Sequence, residues 1–402
     1  MERIIFHIDV NNAFLSWTAV YLLKNGYKQD IRKIPSIIGG DESKRHGIVL
    51  AKSPIAKKMG VVTAETIYSA KRKCRNLQVF EPNHKWYHEQ SDLMYNYLTQ
   101  YTPNIERYSI DECFLDMTGT NFLYKDYLEL AKHVKDEIRE KYGFTVNIGI
   151  GNNKLCAKMA SDFEKPDKVH TLFKNEIEEK LWPLPVGDLF MVGKKTTQEL
   201  NKYKIITIKD LATVDISILK KYFKNQAEFL KNSANGIDES VVAPRSAKTR
   251  SISTTKTLPY DYKEIEKLKE ELFIQSQEVT RELRKQNEYA TTVTIIYRNN
   301  IFQNYTRQMK LSSPTNIATD VYKAVVDLLE NTWRGEAIRL IGIRLSGFKK
   351  QKEKQITLFD EADSEEDDKF QQILDEINNK FGKNCVMPAS IKKIGLKENK
   401  KP

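Results

Sequence analysis

The sequence predicts a multidomain protein of the mixed α/β (α+β) class. Its 402 residues exceed what one core ordinarily organises, so two to four domains are expected. Strand-like and helix-like segments alternate through residues 1–165, and the alternation returns at residues 258–349. Between these blocks, short helical pieces separated by proline and glycine predict a helical unit at 166–240.

Hydrophobic periodicity predicts the elements of the first block. An apolar run at residues 4–9 ends in a carboxylate and indicates a buried strand. The following elements are a helix at 11–23, a helix at 127–141, a strand at 144–150 and a helix at 155–163.

The second block is predicted in the same way. A Ser/Thr/Lys-rich stretch that includes Pro244 predicts a linker at 241–257. The elements expected after it are a helix at 262–287, a strand at 290–297, a helix at 316–331 and a strand at 338–345. The tail, 350–402, is polar and charged and carries one predicted helix at 370–381.

Composition excludes several classes of protein. Hydrophobic residues make up 40% of the chain and charged residues 30%, which excludes wholesale disorder. No apolar run approaches the roughly 18 residues that cross a bilayer, and the N-terminal residues do not resemble a signal peptide. The four cysteines lie far apart and predict reduced thiols rather than a disulfide framework or zinc site. We therefore expect a soluble cytoplasmic protein without a membrane partner.

The net charge of +11 is unevenly distributed. Residues 241–350 contain 19 basic and 12 acidic residues, whereas seven of the nine residues at 360–368 are acidic. A basic block followed by an acidic spacer indicates a polyanion-binding domain with a solvated connector behind it.

Three carboxylates are candidates for metal chemistry. Asp9 ends one predicted strand, and Asp111 and Glu112 lie within another. Nucleotidyl transfer requires divalent metals held by carboxylates at the ends of adjacent strands, and Mg²⁺ prefers such oxygen ligands. Because successive strand residues face opposite ways, Asp111 and Glu112 reach one site only at a bend. On spacing alone, ordinary turn acids remain an equal alternative.

Three blocks of sequence resemble the Y-family translesion DNA polymerases, and the resemblance extends over nearly the whole chain. The blocks are Ile8-Asp-Val-Asn-Asn-Ala-Phe14, Tyr108-Ser-Ile-Asp-Glu-Cys-Phe-Leu-Asp116 and Gly149–Asp162. The Ser-x-Asp-Glu element followed by an apolar strand is the most specific of them. The resemblance implies low-fidelity, template-directed DNA synthesis past damaged bases, by a monomer acting on primer-template DNA and dNTPs.

The resemblance also implies a right-hand polymerase architecture. The palm would comprise 1–14 and 75–165, small fingers 15–74, a helix–hairpin–helix thumb 166–240, and an α/β little finger 258–349.

The implied active site contains two Mg²⁺ ions held by Asp9, Asp111, Glu112 and the carbonyl of Val10. Phe14 falls at the steric-gate position, where an aromatic ring excludes a ribose 2′-hydroxyl; a core aromatic on the first helix is the alternative. Lys57 and Lys158 would bind the triphosphate. The fingers depart from the common family pattern at three positions, Ala51, Pro54 and Lys57. Small residues such as Ala51 and Ser53 predict a loosely packed roof over the nascent base pair.

DNA contacts are predicted in both later domains. Gly193 would form the tight turn of the hairpin, and Lys194 and Lys195 would meet a phosphate at the next helix N-terminus. In the basic block, the phosphate-contact candidates, each equally interpretable as a solvated surface charge, are Arg250, Lys256, Arg298, Arg307 and Arg344.

A short peptide in the tail, Gln355-Ile-Thr-Leu-Phe359, resembles the segment by which bacterial polymerases bind the sliding clamp. Gln355, Leu358 and Phe359 would be its anchors in an apolar groove, and an edge strand is the alternative.

Two other functions compete with polymerisation. One is a non-catalytic DNA-binding relative; the other is a nucleotide cyclase, because residues 39–42 (Gly-Gly-Asp-Glu) resemble the diguanylate cyclase signature.

Overall fold

The structure is a computed structural model that describes residues 2–41, 47–243 and 249–350, with isolated positions beyond 350. It forms two compact units, residues 1–246 and 247–402. The elements of the first unit, in chain order, are β1 (Ile5–Val10), α1 (Ala13–Lys24), β2 (Ser36–Gly39), β3 (Val49–Lys52), α2 (Pro54–Lys58), α3 (Ile67–Lys73), β4 (Gln78–Phe80), α4 (His84–Leu98), β5 (Ile105–Arg107), β6 (Glu112–Asp116), α5 (Tyr127–Tyr142), β7 (Val146–Gly151), α6 (Lys154–Asp162), β8 (Val169–Leu172), α7 (Lys194–Lys202), α8 (Ile208–Thr213), α9 (Ile216–Phe223) and α10 (Ala227–Ala234).

The main sheet of the first unit has the strand order β5-β6-β1-β7-β8. Strand β1 is completely buried at its centre and runs antiparallel to both neighbours. Its even-numbered residues, such as Phe6 and Ile8, join a core that includes side chains of α1, α4 and α5. Its odd-numbered residues face α6, which packs on this strand and on β7. The alternation therefore places Asp9 on the side of the sheet covered by α6.

Helix α6 approaches the sheet closely because β7 carries a glycine beneath it. A Cβ atom at Gly149 would overlap the carbonyl oxygen of Ala157 and the amide nitrogen of Ser161. Any larger residue at position 149 would push the helix outward. The glycine thus sets the height of α6, and of its side chains, above β1.

Two further clusters complete the first unit. A small sheet with the order β3-β2-β4 packs on α2 and α3 around Ile37, Val49 and Ile67. Helices α7 to α10 surround a separate core that includes Leu200, Leu211 and Leu230.

The second unit contains β9 (Ser251–Tyr262), α11 (Ile265–Lys285), β10 (Ala290–Asn299), β11 (Asn304–Thr315), α12 (Ala318–Thr332) and β12 (Ile338–Ser346). Its sheet has the order β11-β10-β12-β9, and every neighbouring pair is antiparallel. Helices α11 and α12 pack on one face, where they bury residues such as Val293, Ile295 and Ile343.

Most predicted elements are present, with bounds shifted by three residues or fewer, but two parts of the second unit differ. The linker prediction for 241–257 is wrong over its last seven residues, because β9 pairs with β12 from Ser251 onward. Its Ser/Thr-rich composition resembles a loop, yet threonine is β-branched and suits the polar side of a sheet. Strand β11 was not predicted, because this edge strand is polar and largely exposed. The helix predicted at 370–381 is not among the continuous ranges that the structure describes.

Because the two units have separate cores, a core truncation in one is expected to spare the other. We expect Ile343→Ala to destabilise the second unit by about 2–5 kcal/mol, the usual cost of such a cavity. Differential scanning calorimetry should show one transition moving down while the other stays fixed. Ile301→Ala, at a side chain that is 66% exposed, is the matched control. A single transition that shifts as a whole would contradict independent cores.

Candidate active site

The pairing of β1 with β6 sets two of the three predicted carboxylates opposite each other. Asp9 and Glu112 are direct partners in the antiparallel register. Residues that face each other across a sheet point to the same side, so both carboxylates lie beneath α6. Their side chains are only 9% and 16% exposed.

Asp111 lies at the predicted bend immediately before β6. The Val10 amide donates to its carbonyl oxygen at 3.0 Å, and the Ser109 hydroxyl donates to its carboxylate at 2.6 Å. The bend brings the backbone of Asp111 beside the end of β1, as the two adjacent acids require.

Lys158 connects the acids from the opposite side. Its Nζ atom, on α6, lies 3.1 Å from Asp9 Oδ2, 2.5 Å from Glu112 Oε1 and 3.3 Å from Asp162 Oδ2. The structure therefore brings the side chains of Asp9, Glu112 and Lys158 together from three separate segments.

Sequence analysis missed a second lysine at this site. Lys165 Nζ lies 2.8 Å from Asp9 Oδ2 and 2.8 Å from Asp162 Oδ1. The Lys165-Pro166 dipeptide indicates a helix end. The i, i+7 spacing from Lys158 would therefore not continue on one helix, and it gives no local sign that the two side chains meet. Only the fold of the loop after α6 turns this side chain back toward β1.

Two buried asparagines hold that loop against the sheet. The Asn147 amide group donates to the carbonyls of Ser161 and Glu164, and its oxygen accepts from Asn11. The Asn11 oxygen accepts from the Asp167 amide at 2.9 Å. Asn147 is completely buried in β7, where a polar side chain persists only when its hydrogen bonds are satisfied.

Burial and the lysine charges act in opposite directions on the acids. Burial tends to raise the pKa of Asp9, but Lys158 and Lys165 hold it below its ordinary value. Burial raises the pKa of Glu112 despite its bond to Lys158. The pKa values of both lysines are raised, because the nearby acids outweigh the desolvation of the ammonium groups. Both lysines are therefore charged at neutral pH.

His7 lies beneath the same acids. Burial lowers its pKa well below the usual value, so the ring is neutral at pH 7. Its Nδ1 atom is 2.8 Å from the Ser161 hydroxyl.

The donor chemistry of this site suits magnesium. Asp9, Glu112 and the neighbouring Asp111 offer the hard carboxylate oxygens that Mg²⁺ prefers. Within the described ranges, no three acidic, histidine or cysteine side chains converge as a closed metal cage. The carboxylates of Asp9 and Glu112 are instead bridged by the ammonium of Lys158.

Phe14, on α1, is partly buried and stacks on Tyr87 with ring centroids 4.8 Å apart and planes at 13°. The Tyr87 hydroxyl is 2.7 Å from that of Thr18, which fixes the supporting ring. Phe14 thus packs at the edge of the core while keeping part of its ring accessible.

Lys57, predicted to bind the triphosphate, is exposed in the last turn of α2. Burial, and then the charge of Lys57, lowers the pKa of Lys52, whose ammonium donates to Thr63. Ser53 is fully buried and caps α2 by accepting from the Ala56 amide. The prediction that Ser53 lines an open roof is therefore wrong, because its hydroxyl is used inside the domain.

The helical region presents Gly193 as the N-cap of α7, with Lys194 and Lys195 exposed in its first turn. Gly193 has φ −82°, whereas Met191 has φ +69°. The prediction that Gly193 forms the tight turn is wrong, since Gly193 is extended and the positive φ of the turn belongs to Met191.

The sheet of the second unit separates the predicted basic residues. Arg298 and Arg344 lie on the face opposite the helices. Lys256 pairs across the sheet with buried Ile341 and bonds Glu271 of α11 at 2.8 Å. Arg307 is opposite buried Ile295. Lys256 and Arg307 therefore belong to the helix-covered side.

Two other basic side chains complete this comparison. Lys310, which sequence analysis overlooked, is exposed and opposite Thr292, on the same open face as Arg344. Arg250 is exposed just before β9. The predicted clamp residues Gln355, Leu358 and Phe359 lie outside the described residues.

None of the helices described is long and apolar enough to span a membrane.

Three family models match successive parts of the chain. The model of the impB/mucB/samB family matches residues 8–162, that family's C-terminal domain matches 249–358, and the HHH motif of the IMS family matches 174–205. DNA polymerase IV of Clostridium acetobutylicum is 44% identical over 387 residues, which cover 96% of this chain and 98% of that protein. DNA polymerase IV 2 of Bacillus subtilis is 35% identical over 97% of this chain and 94% of its own.

A solved structure shows the same fold. The Y-family DNA polymerase chimera Dbh-Dpo4(243-245)-Dbh superposes with a TM-score of 0.74 at 22% identity, covering 86% of this chain and 98% of the chimera. With relatives this similar over nearly its whole length, the chain belongs to the impB/mucB/samB family of Y-family DNA polymerases, alongside DNA polymerase IV.

Proposed function

We propose that the protein is a DNA-directed DNA polymerase that extends a primer across damaged template bases with low fidelity. The observation that carries the proposal is the convergence of Asp9, Glu112 and Lys158 in a chain 44% identical to a DNA polymerase IV. The alternatives of a non-catalytic relative and of a nucleotide cyclase are not favoured by these similarities.

We assign the palm to 1–14 and 75–165, the fingers to 15–74 and the thumb to 166–240. The little finger begins earlier than the sequence suggested, at Ser251, because β9 belongs to its sheet.

In the proposed mechanism, Asp9, Asp111, Glu112 and the Val10 carbonyl would hold two Mg²⁺ ions. When bound, these ions supply activation of the primer 3′-hydroxyl and neutralisation of the triphosphate. Nucleotide binding and nucleotide selection are then carried out by side chains around the acids.

The side chains around the acids bind and select the nucleotide. Lys158 and Lys165, already directed at the acids, would bind the triphosphate as point charges, and Lys57 would contact it from the fingers. The Phe14 ring, supported by Tyr87, would exclude a ribose 2′-hydroxyl.

DNA would be held through its phosphates, without base readout. Gly193, Lys194 and Lys195 present the N-terminus of α7 to one strand. The open face of the second sheet would grip the backbone through Arg298, Lys310 and Arg344, with Arg250 beside it. We further propose that Gln355, Leu358 and Phe359 bind the sliding clamp and that the protein acts as a cytoplasmic monomer.

Primer extension by Asp111→Ala tests the catalytic assignment. We expect extension to fall by more than the 10–100-fold that loss of an outer-shell partner costs, because a metal ligand itself is removed. Asp116→Ala, at the far end of β6, is the matched control and should retain activity. Equal extension by wild type and Asp111→Ala, or no extension by either folded protein, would contradict the proposal that the protein is a polymerase with this active site.

Phe14→Ala tests the steric gate. The ratio of kcat/KM for a dNTP over the matching rNTP should fall by about 10–200-fold, the range over which a pocket discriminates by shape. Phe122→Ala removes an aromatic ring that is 78% exposed and should leave the ratio unchanged. Lower stability of Phe14→Ala with the same ratio would favour the core-aromatic alternative.

The salt dependence of duplex binding tests which face of the second sheet contacts DNA. Arg344→Gln should weaken duplex binding uniformly across sequences and reduce the slope of log K against log salt by about one. Lys256→Gln, on the helix-covered face, should change neither quantity. The measurement is fluorescence anisotropy of a labelled primer-template at several salt concentrations, and equal effects of the two substitutions would contradict the assignment.

A further inference from the structure

Two ammonium groups bond one carboxylate oxygen of Asp9 and one of Glu112, both of which are proposed metal ligands. Asp9 Oδ2 accepts from Lys158 at 3.1 Å and from Lys165 at 2.8 Å. Glu112 Oε1 accepts from Lys158 at 2.5 Å. The same oxygens therefore serve as acceptors for cationic side chains and as candidate metal ligands.

A divalent ion cannot share these oxygens with both ammonium groups without strong repulsion. Mg²⁺ binds carboxylate oxygen at about 2.0–2.1 Å, so it would lie only a few ångströms from each Nζ atom. Charges at such distances interact strongly in a partly buried site, where solvent screens them weakly. Metal entry thus requires the ammonium groups to move away.

Asp162 provides an acceptor to which both groups can move. Its two oxygens lie 3.3 Å from Lys158 Nζ and 2.8 Å from Lys165 Nζ. Its side chain is 41% exposed, whereas that of Asp9 is 9% exposed. Asp162 therefore holds the lysines from the solvent side of the acids.

The loop that carries Lys165 is fixed rather than free. The Asp167 amide bonds Asn11, and its carboxylate pairs with Lys135 at 3.0 Å and Arg139 at 2.7 Å. Because the loop is anchored at Asp167, two residues after Lys165, the Lys165 ammonium stays within reach of Asp9. Such fixed placement is what a preorganised site requires.

We propose that Lys158 and Lys165 form an ammonium pair that competes with divalent metal for Asp9 and Glu112. A nucleotide triphosphate relieves the competition by drawing the pair to itself. Asp162 acts as a positioning residue for the pair. The inference rests on the proposed function, and it adds that metal and nucleotide bind cooperatively. Such coupling is reciprocal, so each raises the affinity for the other.

Manganese binding to the nucleotide-free, full-length protein tests the competition, with free Mn²⁺ measured by electron paramagnetic resonance. We expect Lys165→Met and Lys158→Met to bind Mn²⁺ about tenfold or more tightly than wild type, because a competing charge is removed. Lys154→Met is the matched control: this lysine lies on the same helix, pairs with Glu106 and should leave affinity within about twofold. Asp162→Asn should weaken Mn²⁺ binding, since the pair then bonds Asp9 and Glu112 more strongly.

A second measurement tests the triphosphate side without metal. In EDTA, an α,β-imido deoxynucleoside triphosphate should bind Lys165→Met and Lys158→Met at least about fivefold more weakly than wild type, and Lys154→Met equally well. Unchanged nucleotide binding in the two variants would overturn the coupling.

The outcomes separate this inference from the proposed function. A merely structural lysine would weaken Mn²⁺ binding when replaced, so unchanged or weaker binding by Lys165→Met overturns the competition. If Lys158→Met fails to fold, Lys165→Met alone decides. Asp9→Asn should abolish Mn²⁺ binding; if it has no effect, the proposed active site itself fails.

Discussion

The structure depends above all on the antiparallel pairing of β1 with β6, which sets Asp9 opposite Glu112 beneath one helix. Two carboxylates this close can both stay ionised at neutral pH only when positive charge compensates them. The ammonium of Lys158 supplies that charge from α6, at a height that Gly149 permits. The strand register, the packing of α6 and the charge balance of the acids therefore depend on one another, and a change in one would disturb the other two.

That constraint extends into the loop after α6. Asn147 lies opposite Asp9 in the neighbouring strand and uses its amide to bind two carbonyls of the chain that follows the helix. The loop in turn places Lys165 on Asp9. A completely buried polar residue in the sheet thereby orders a charged residue at the site, a connection that no local pattern reveals.

In the second unit, the two faces of the sheet carry different basic residues. Its helices cover the face that buries Ile295 and Ile343, and side chains that share that face, such as Lys256, bond the helices instead. Arg298 and Arg344 remain on the other face. Net charge alone does not distinguish these roles, because strand parity decides which side a basic residue joins.

By itself, the sequence indicated β1, α1, α5, β7 and α6 of the first unit and all but β9 and β11 of the second, because hydrophobic periodicity is a local signal. The Ser-x-Asp-Glu block, also local, marked Asp111 and Glu112 as candidates. The sequence also predicted Lys158 through its block of matching residues. The tertiary structure alone decided that Lys165 reaches Asp9, that Met191 rather than Gly193 makes the turn, and that Ser253 and its neighbours form a strand. Each depends on contacts between residues distant in the chain, on a turn geometry that composition does not specify, or on pairing with a partner strand.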